Sequence, residues 1–144
     1  MIIRKFRPSD LSRVYEIECR SFKDPYPALF LMNLYETYPA TFLVAEENGA
    51  VVGYVISRMV NVSGHVLAIA VEPGRRYRGI GRVLMNAVTE RLREFGMKDI
   101  YLEVRISNTA AVKFYKKLGF EERGIIRSYY SDGEDAVILK KIFF

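Results

Sequence analysis

Several residue groups along this chain could do chemistry. The first is a basic, glycine-rich turn, Arg76-Tyr77-Arg78-Gly79-Ile80-Gly81-Arg82. It follows an apolar run, Val66 to Val71, and opens a helical pattern carried by Val83, Leu84, Ala87, Val88, Leu92 and Phe95. The first backbone N–H groups of a helix lack partners inside it, and the helix dipole favours negative charge there. Gly79 and Gly81 let a ligand approach that backbone closely, and Arg75, Arg76, Arg78 and Arg82 add positive charge. The combination suits a pyrophosphate. The same residues also read as a basic helix start that binds nothing. A Walker-type P-loop is excluded, because Ile80-Gly81 stands where Lys-Ser or Lys-Thr would have to follow Gly79. A dinucleotide fingerprint is excluded by Leu84, which occupies the place of its last glycine or alanine.

The other groups are acids and phenols. Glu103 lies in Ile100 to Arg105, a run in which Leu102 and Val104 share a face with Ile100 while Tyr101, Glu103 and Arg105 point the other way. A carboxylate between apolar neighbours in a covered sheet is suited to general-base work; the alternative is a glutamate paired with Arg105. The Tyr115 phenol could donate a proton. Its alternative is core packing, because Val112, Tyr115 and Leu118 fall at helical spacing. Tyr129-Tyr130 precedes Ser131-Asp132-Gly133, and of two adjacent aromatics in a polar turn one must face outward. That leaves a surface role or strand-edge packing. Asp24 sits in a loop with two prolines and reads as a loop N-cap. His65 reads as structural or solvent-facing, and Cys19 as packing.

These residues must be positioned by alternating elements. Ile2 to Arg7 reads as a strand, Pro8-Ser9-Asp10 offers a helix cap, and Leu11, Val14 and Ile17 carry an apolar stripe to about Arg20. A short second helix is expected over Ala28 to Tyr35. Thr41 to Glu46 and Val51 to Met59 read as strands joined at Asn48-Gly49, a strong hairpin signal. A buried strand, His65 to Val71, leads into the basic turn and a helix from Gly79 to Phe95, stopped by Gly96. A strand, a helix from Thr109 to Leu118, and strands near Glu121 to Arg127 and Asp135 to Ile142 complete one domain over residues 1–144. The order predicts an α/β, or mixed α+β, fold with helices on both faces of a mixed sheet.

Arg-x-x-Gly-x-Gly at 76–81, followed by Tyr101-Leu102-Glu103-Val104-Arg105-Ile106-Ser107-Asn108 and Ala110 to Phe120 ending in Leu-Gly-Phe, resembles the GNAT superfamily of N-acetyltransferases. Within it the chain most resembles the protein N-terminal acetyltransferases, the RimI-like enzymes and their archaeal and eukaryotic relatives. The resemblance implies a central sheet of about seven strands and about four helices, splayed between the fourth and fifth strands where acetyl-CoA enters. It implies polarising backbone N–H groups at Ile69, Ala70 and Val71, and pyrophosphate binding by Arg76, Tyr77, Arg78, Gly79, Ile80, Gly81 and Arg82. It also places Asn108 on the pantetheine arm. Glu103 matches the base, acting through a water, and Tyr115 the acid at the CoA thiolate. Phe22, Asp24, Tyr26, Tyr129 and Tyr130 match the walls of the substrate site. Asp24-Pro25-Tyr26-Pro27 departs from the bacterial pattern, and Asp24 could meet the substrate amine or assist as base. The implied reaction is direct transfer from acetyl-CoA to the α-amine of a protein N-terminus within a ternary complex, with ribosome association consistent with it. A lysine side chain or small amine is the alternative acceptor. A basic RNA- or CoA-binding module without catalysis is a remoter one.

Composition limits the rest. At 144 residues, half of them hydrophobic, the chain can bury about 70% of its unfolded surface. No apolar run approaches the ~20 residues of a membrane span, and the first residues lack the apolar stretch of a secretory signal. One cysteine excludes an internal disulfide and fits a reducing cytoplasm. One histidine and one cysteine cannot make a zinc site of N/S ligands, so no metal is expected. The net charge of +5 suits a polyanionic cofactor. No DNA or membrane partner is expected; monomer and weak dimer both remain open.

Overall fold

The computed structural model describes residues 1–76 and 79–143. The strands are β1 (Ile2–Lys5), β2 (Phe42–Glu47), β3 (Ala50–Val60), β4 (Ser63–Val71), β5 (Asp99–Arg105), β6 (Glu121–Ile126) and β7 (Ala136–Ile142). The helices are α1 (Leu11–Ser21), α2 (Ala28–Thr37), α3 (Ile80–Glu94) and α4 (Thr109–Lys117). The strands form one mixed sheet in the order β1-β2-β3-β4-β5-β7-β6. Among the described strands only β4 and β5 are parallel neighbours, because α3 carries the chain from one to the other. The expected hairpin is present: Asn48 and Gly49 have φ of 51° and 81°, the left-handed pair that a two-residue turn between twisted strands requires.

Each face of the sheet has its own core. Ile80, Leu84, Val88 and Leu92 recur at helical spacing on α3 and pack on Val55, Val66, Ile100, Leu102 and Leu139. Contact is close: a Cβ added at Gly64 would lie 2.4 Å from a Leu92 methyl carbon. On the opposite face, Val14 and Ile17 of α1 and Leu31 and Leu34 of α2 cover Phe42, Val44, Tyr54, Ile56, Ala68 and Ala70. Glu103 and its neighbours Tyr101 and Arg105 point to this second side, as alternation along β5 requires.

The helix entry differs from expectation. Pro8–Asp10 forms a 3-10 turn, and the Asp10 carboxylate points back rather than forward. It accepts from the Arg7 N–H at 2.8 Å and from both terminal nitrogens of Arg4 at 2.8 and 2.9 Å. Asp10 does stand at the N-cap position of α1 but makes no side-chain cap bond, because a charged partner on β1 holds its carboxylate. No helix among the described residues is long and apolar enough to cross a membrane.

Candidate active site

The sheet opens between β4 and β5. Their ladder has three pairs, Ser63↔Asp99, Gly64↔Ile100 and His65↔Tyr101, and runs no further among the described residues. A bulge begins the separation. Ile56 of β3 pairs with Ala68, but Ser57 pairs with Val66, leaving Leu67 as an extra residue on β4. An extra residue bends its strand and increases its twist. Beyond the split, Ile69, Ala70 and Val71 remain paired to β3 alone among the described strands. Their β5-side edge can therefore offer backbone N–H groups to a carbonyl. A cavity of about 630 Å³ occupies the opening.

Glu103 lines this cavity, its side chain 13% exposed. Its Oε1 lies 2.7 Å from His65 Nε2, and the Tyr129 hydroxyl approaches the same oxygen at 3.5 Å. The pairing with Arg105 does not form. His65 is buried, not solvent-facing: its ring stacks on Tyr101, with centroids 4.4 Å apart and planes 5° apart. Arg58 Nε donates to His65 Nδ1 at 3.1 Å.

Tyr115 opens on the same cavity from α4, with its ring against Phe114 and Phe120. The side chain is buried in the core and also forms part of the cavity lining. Burial, reinforced by the field of Tyr130, pushes the Tyr115 phenol well above its ordinary range, so it keeps its proton at neutral pH. Tyr129 and Tyr130 meet edge to face at 5.0 Å. Burial and the field of Tyr129 push Tyr130 up to about 12, against the pull of Arg105.

The facing wall is the loop before α2. Phe22 and Asp24 are exposed, and Tyr26 is half-buried against Phe30. The Tyr26 hydroxyl approaches the carbonyl of the bulged Leu67 at 3.4 Å. Burial, together with Tyr129, Glu18 and Glu103, pushes Tyr26 up to about 12, against the pull of Arg58. Asp24 is not a helix cap, since Pro27 holds that position before α2. It accepts from Ser131 Oγ at 2.8 Å and Arg105 Nη2 at 3.2 Å.

Sequence reasoning missed Glu18, Arg58 and the part played by His65. Glu18 is 1% exposed on α1, and its carboxylate accepts from the Tyr54 hydroxyl and, at 3.0 Å, from the Tyr26 N–H. Burial raises its pKa, and these two hydrogen bonds oppose the rise. The signal was present: Val14, Ile17 and Glu18 share one face, so a carboxylate sits on a buried stripe.

The start of α3 lies near the same opening. Gly79 caps it at φ 79°, and Val83 N–H donates to Gly79 carbonyl, which is the first helical bond. The preceding N–H groups of Ile80, Gly81 and Arg82 are those a helix leaves unsatisfied. Gly81 packs closely against α4, for a Cβ there would lie 3.3 Å from Phe114 Cζ. Arg82 is exposed. Arg76 turns toward the end of α1, bonding Val71 carbonyl at 3.1 Å and Ser21 Oγ at 3.2 Å. Tyr77 and Arg78 lie outside the described residues. Asn108 caps α4, accepting from Ala111 N–H at 3.1 Å, and the residue is part of the cavity lining. The start of α3 meets the end of β4 beyond the split, where a Cβ at Gly81 would lie 3.9 Å from Val71 Cγ2. Helix N–H groups beside strand N–H groups suit a long ligand with a pyrophosphate at one end and a carbonyl at the other.

The sequence also matches known proteins along this arrangement. Residues 11–120 fit the acetyltransferase (GNAT) family. An N-alpha-acetyltransferase of Sulfurisphaera tokodaii is 37% identical over 150 residues, covering 95% of this chain and 90% of that protein. The crystal structure of Ard1 from Thermoplasma volcanium superposes with a TM-score of 0.95 at 33% identity, covering 99% of this chain and 97% of the other. Naa20 of Chaetomium thermophilum, solved with a bisubstrate analogue, gives a TM-score of 0.91 at 27% identity, covering 99% and 87%. The matched region takes in α1, the basic turn at α3 and the whole of α4, and on that ground the chain belongs to the acetyltransferase (GNAT) family.

Proposed function

We propose that this protein transfers the acetyl group of acetyl-CoA to the α-amine of protein N-termini. The observation that carries the reading is that Glu103 and Tyr115 open on one cavity at the β4–β5 split, beneath Tyr129-Tyr130 and the loop before α2. The names of the archaeal relative and of the Naa20 complex support the same activity.

Acetyl-CoA supplies the thioester carbonyl carbon to which the amine nitrogen bonds as the carbon–sulfur bond breaks. Backbone N–H groups of Ile69 to Val71 hold the carbonyl oxygen as charge gathers there. The α3 start, through Gly79, Ile80, Gly81 and Arg82, holds the pyrophosphate, and Asn108 flanks the arm between. Glu103 takes the proton released by the amine, through a water. Tyr115 delivers a proton to the sulfur. Phe22, Asp24 and Tyr26 face the first residue of the peptide, and Tyr129 and Tyr130 hold its backbone.

An α-amine suits one carboxylate base. With a pKa of about 7.7–8.0 it is about one-third neutral near pH 7.5, against about 0.1% for a lysine at about 10.4. The test is a peptide panel with acetyl-CoA, including one peptide with a blocked N-terminus and an internal lysine. Free N-termini should be acetylated and the blocked peptide spared. Glu103→Gln should lower kcat by about 10²–10⁴-fold with the fold intact. Equal rates on blocked and free peptides would transfer the assignment to lysine or a small amine.

A further inference from the structure

We propose that Arg58 is a positioning residue: it fixes the tautomer of His65, and His65 in turn keeps Glu103 Oε1 a hydrogen-bond acceptor, oriented into the cavity. The proposal rests on the reading of Glu103 as the base. A guanidinium donates hydrogen bonds and accepts none. Arg58 Nε at 3.1 Å therefore makes His65 Nδ1 an acceptor. The neutral ring then carries its proton on Nε2, which points at Glu103 Oε1 at 2.7 Å. That oxygen must accept. In the other tautomer Nε2 would be an acceptor facing the carboxylate, and the contact would survive only if Glu103 carried a proton. A protonated Glu103 cannot take one from an amine.

The β4 bulge builds this chain of bonds. Counting straight from Ile56↔Ala68, Met59 would pair with His65. The extra Leu67 instead brings Arg58 opposite His65, while His65↔Tyr101 is the last pair before the sheet splits. The three side chains therefore lie side by side across β3, β4 and β5, and the stacked Tyr101 ring restricts rotation of the imidazole. Glu103 follows two residues on, on the same face.

The chain has one histidine, so its two ring nitrogens can be read directly by long-range ¹H–¹⁵N correlation on the labelled full-length protein. The wild type should show Nε2 protonated and Nδ1 bare at neutral pH. Arg58→Met keeps the apolar stem and removes the donor. It should give a population with Nδ1 protonated, and kcat should fall by about 10-fold, a part of what loss of a positioned base costs, with KM for acetyl-CoA unchanged. Arg58→Lys retains a donor and should restore part of both. A wild-type ring protonated on Nδ1, or an Arg58→Met ring with the wild-type tautomer, would overturn the proposal. The spectrum stands apart from turnover. If the tautomer follows Arg58 while the wild type acetylates no peptide, the positioning stands and the acetyl-transfer reading fails.

Discussion

Arg105 on β5 and Asp24 on the loop before α2, 81 residues apart in sequence, meet at 3.2 Å. Arg105 also holds Asp132 and Glu134, each at 2.9 Å, and its guanidinium carbon lies 4.1 Å from the centre of the Tyr130 ring. The joint thus ties both walls of the cavity to the strand that carries Glu103. The Asp24 side chain is 53% exposed, so its pairing adds at most about 1 kcal/mol to stability. Its effect is on shape.

Asp24→Ala should leave the melting temperature nearly unchanged and reorder a panel of peptides by kcat/KM, since it frees the wall that meets the first residue. Tyr130→Ala should raise KM for every good peptide, because backbone contacts are common to all. An unchanged ranking in Asp24→Ala would show that the loop selects nothing.

Tyr115→Phe removes one hydroxyl and keeps the ring packed on Phe114 and Phe120. Acetyl-CoA affinity and melting temperature should hold while kcat falls by about 10²-fold, the lower range for loss of a general acid. Equal turnover in the two proteins would leave Tyr115 as packing only.

At the start of α3 the cleanest variant is Arg82→Ala, because that side chain is exposed and its removal strains nothing. It should weaken acetyl-CoA in isothermal titration, more at low salt than at high. Gly79→Ala should weaken it too, but a non-glycine residue at φ 79° adds about 1–2 kcal/mol of strain at the helix cap. Unchanged affinity in both variants would move the pyrophosphate elsewhere.

The Arg4–Asp10 pair gives a pH signature. Burial would raise the Asp10 carboxyl, but Arg4 and the Arg7 N–H outweigh it and hold the group below its ordinary range. A depressed folded pKa adds stability that is complete above the unfolded value, about 3.9, and is lost as pH falls through the folded value. Asp10→Asn should therefore be less stable by about 1–3 kcal/mol near neutrality. In denaturant melts the gap should narrow below about pH 4. A gap constant down to about pH 2 would remove Asp10 from the acid response.

Much of this protein is written in near neighbours. Apolar spacing along Leu84, Val88 and Leu92 dictates a helix, Asn48-Gly49 a tight turn, and Gly96, at φ 84°, a helix stop. Alternation along Ile100 to Arg105 sets Glu103 on the face opposite the α3 core. Such features depend on residues two to four apart, so periodicity exposes them, and with them the catalytic candidates and the basic turn. The partners of those candidates depend on register between strands distant in sequence. One extra residue at Leu67 aligns Arg58 with His65, and a ladder of three pairs places His65 against Glu103 yet opens the sheet just beyond. Likewise Arg105 pairs across space with Asp24, Asp132 and Glu134 rather than with its neighbour Glu103. Side chains two apart on a strand point the same way, but a charged group bonds whichever opposite charge the folded chain brings nearest. That choice is made only when the sheet and its loops close.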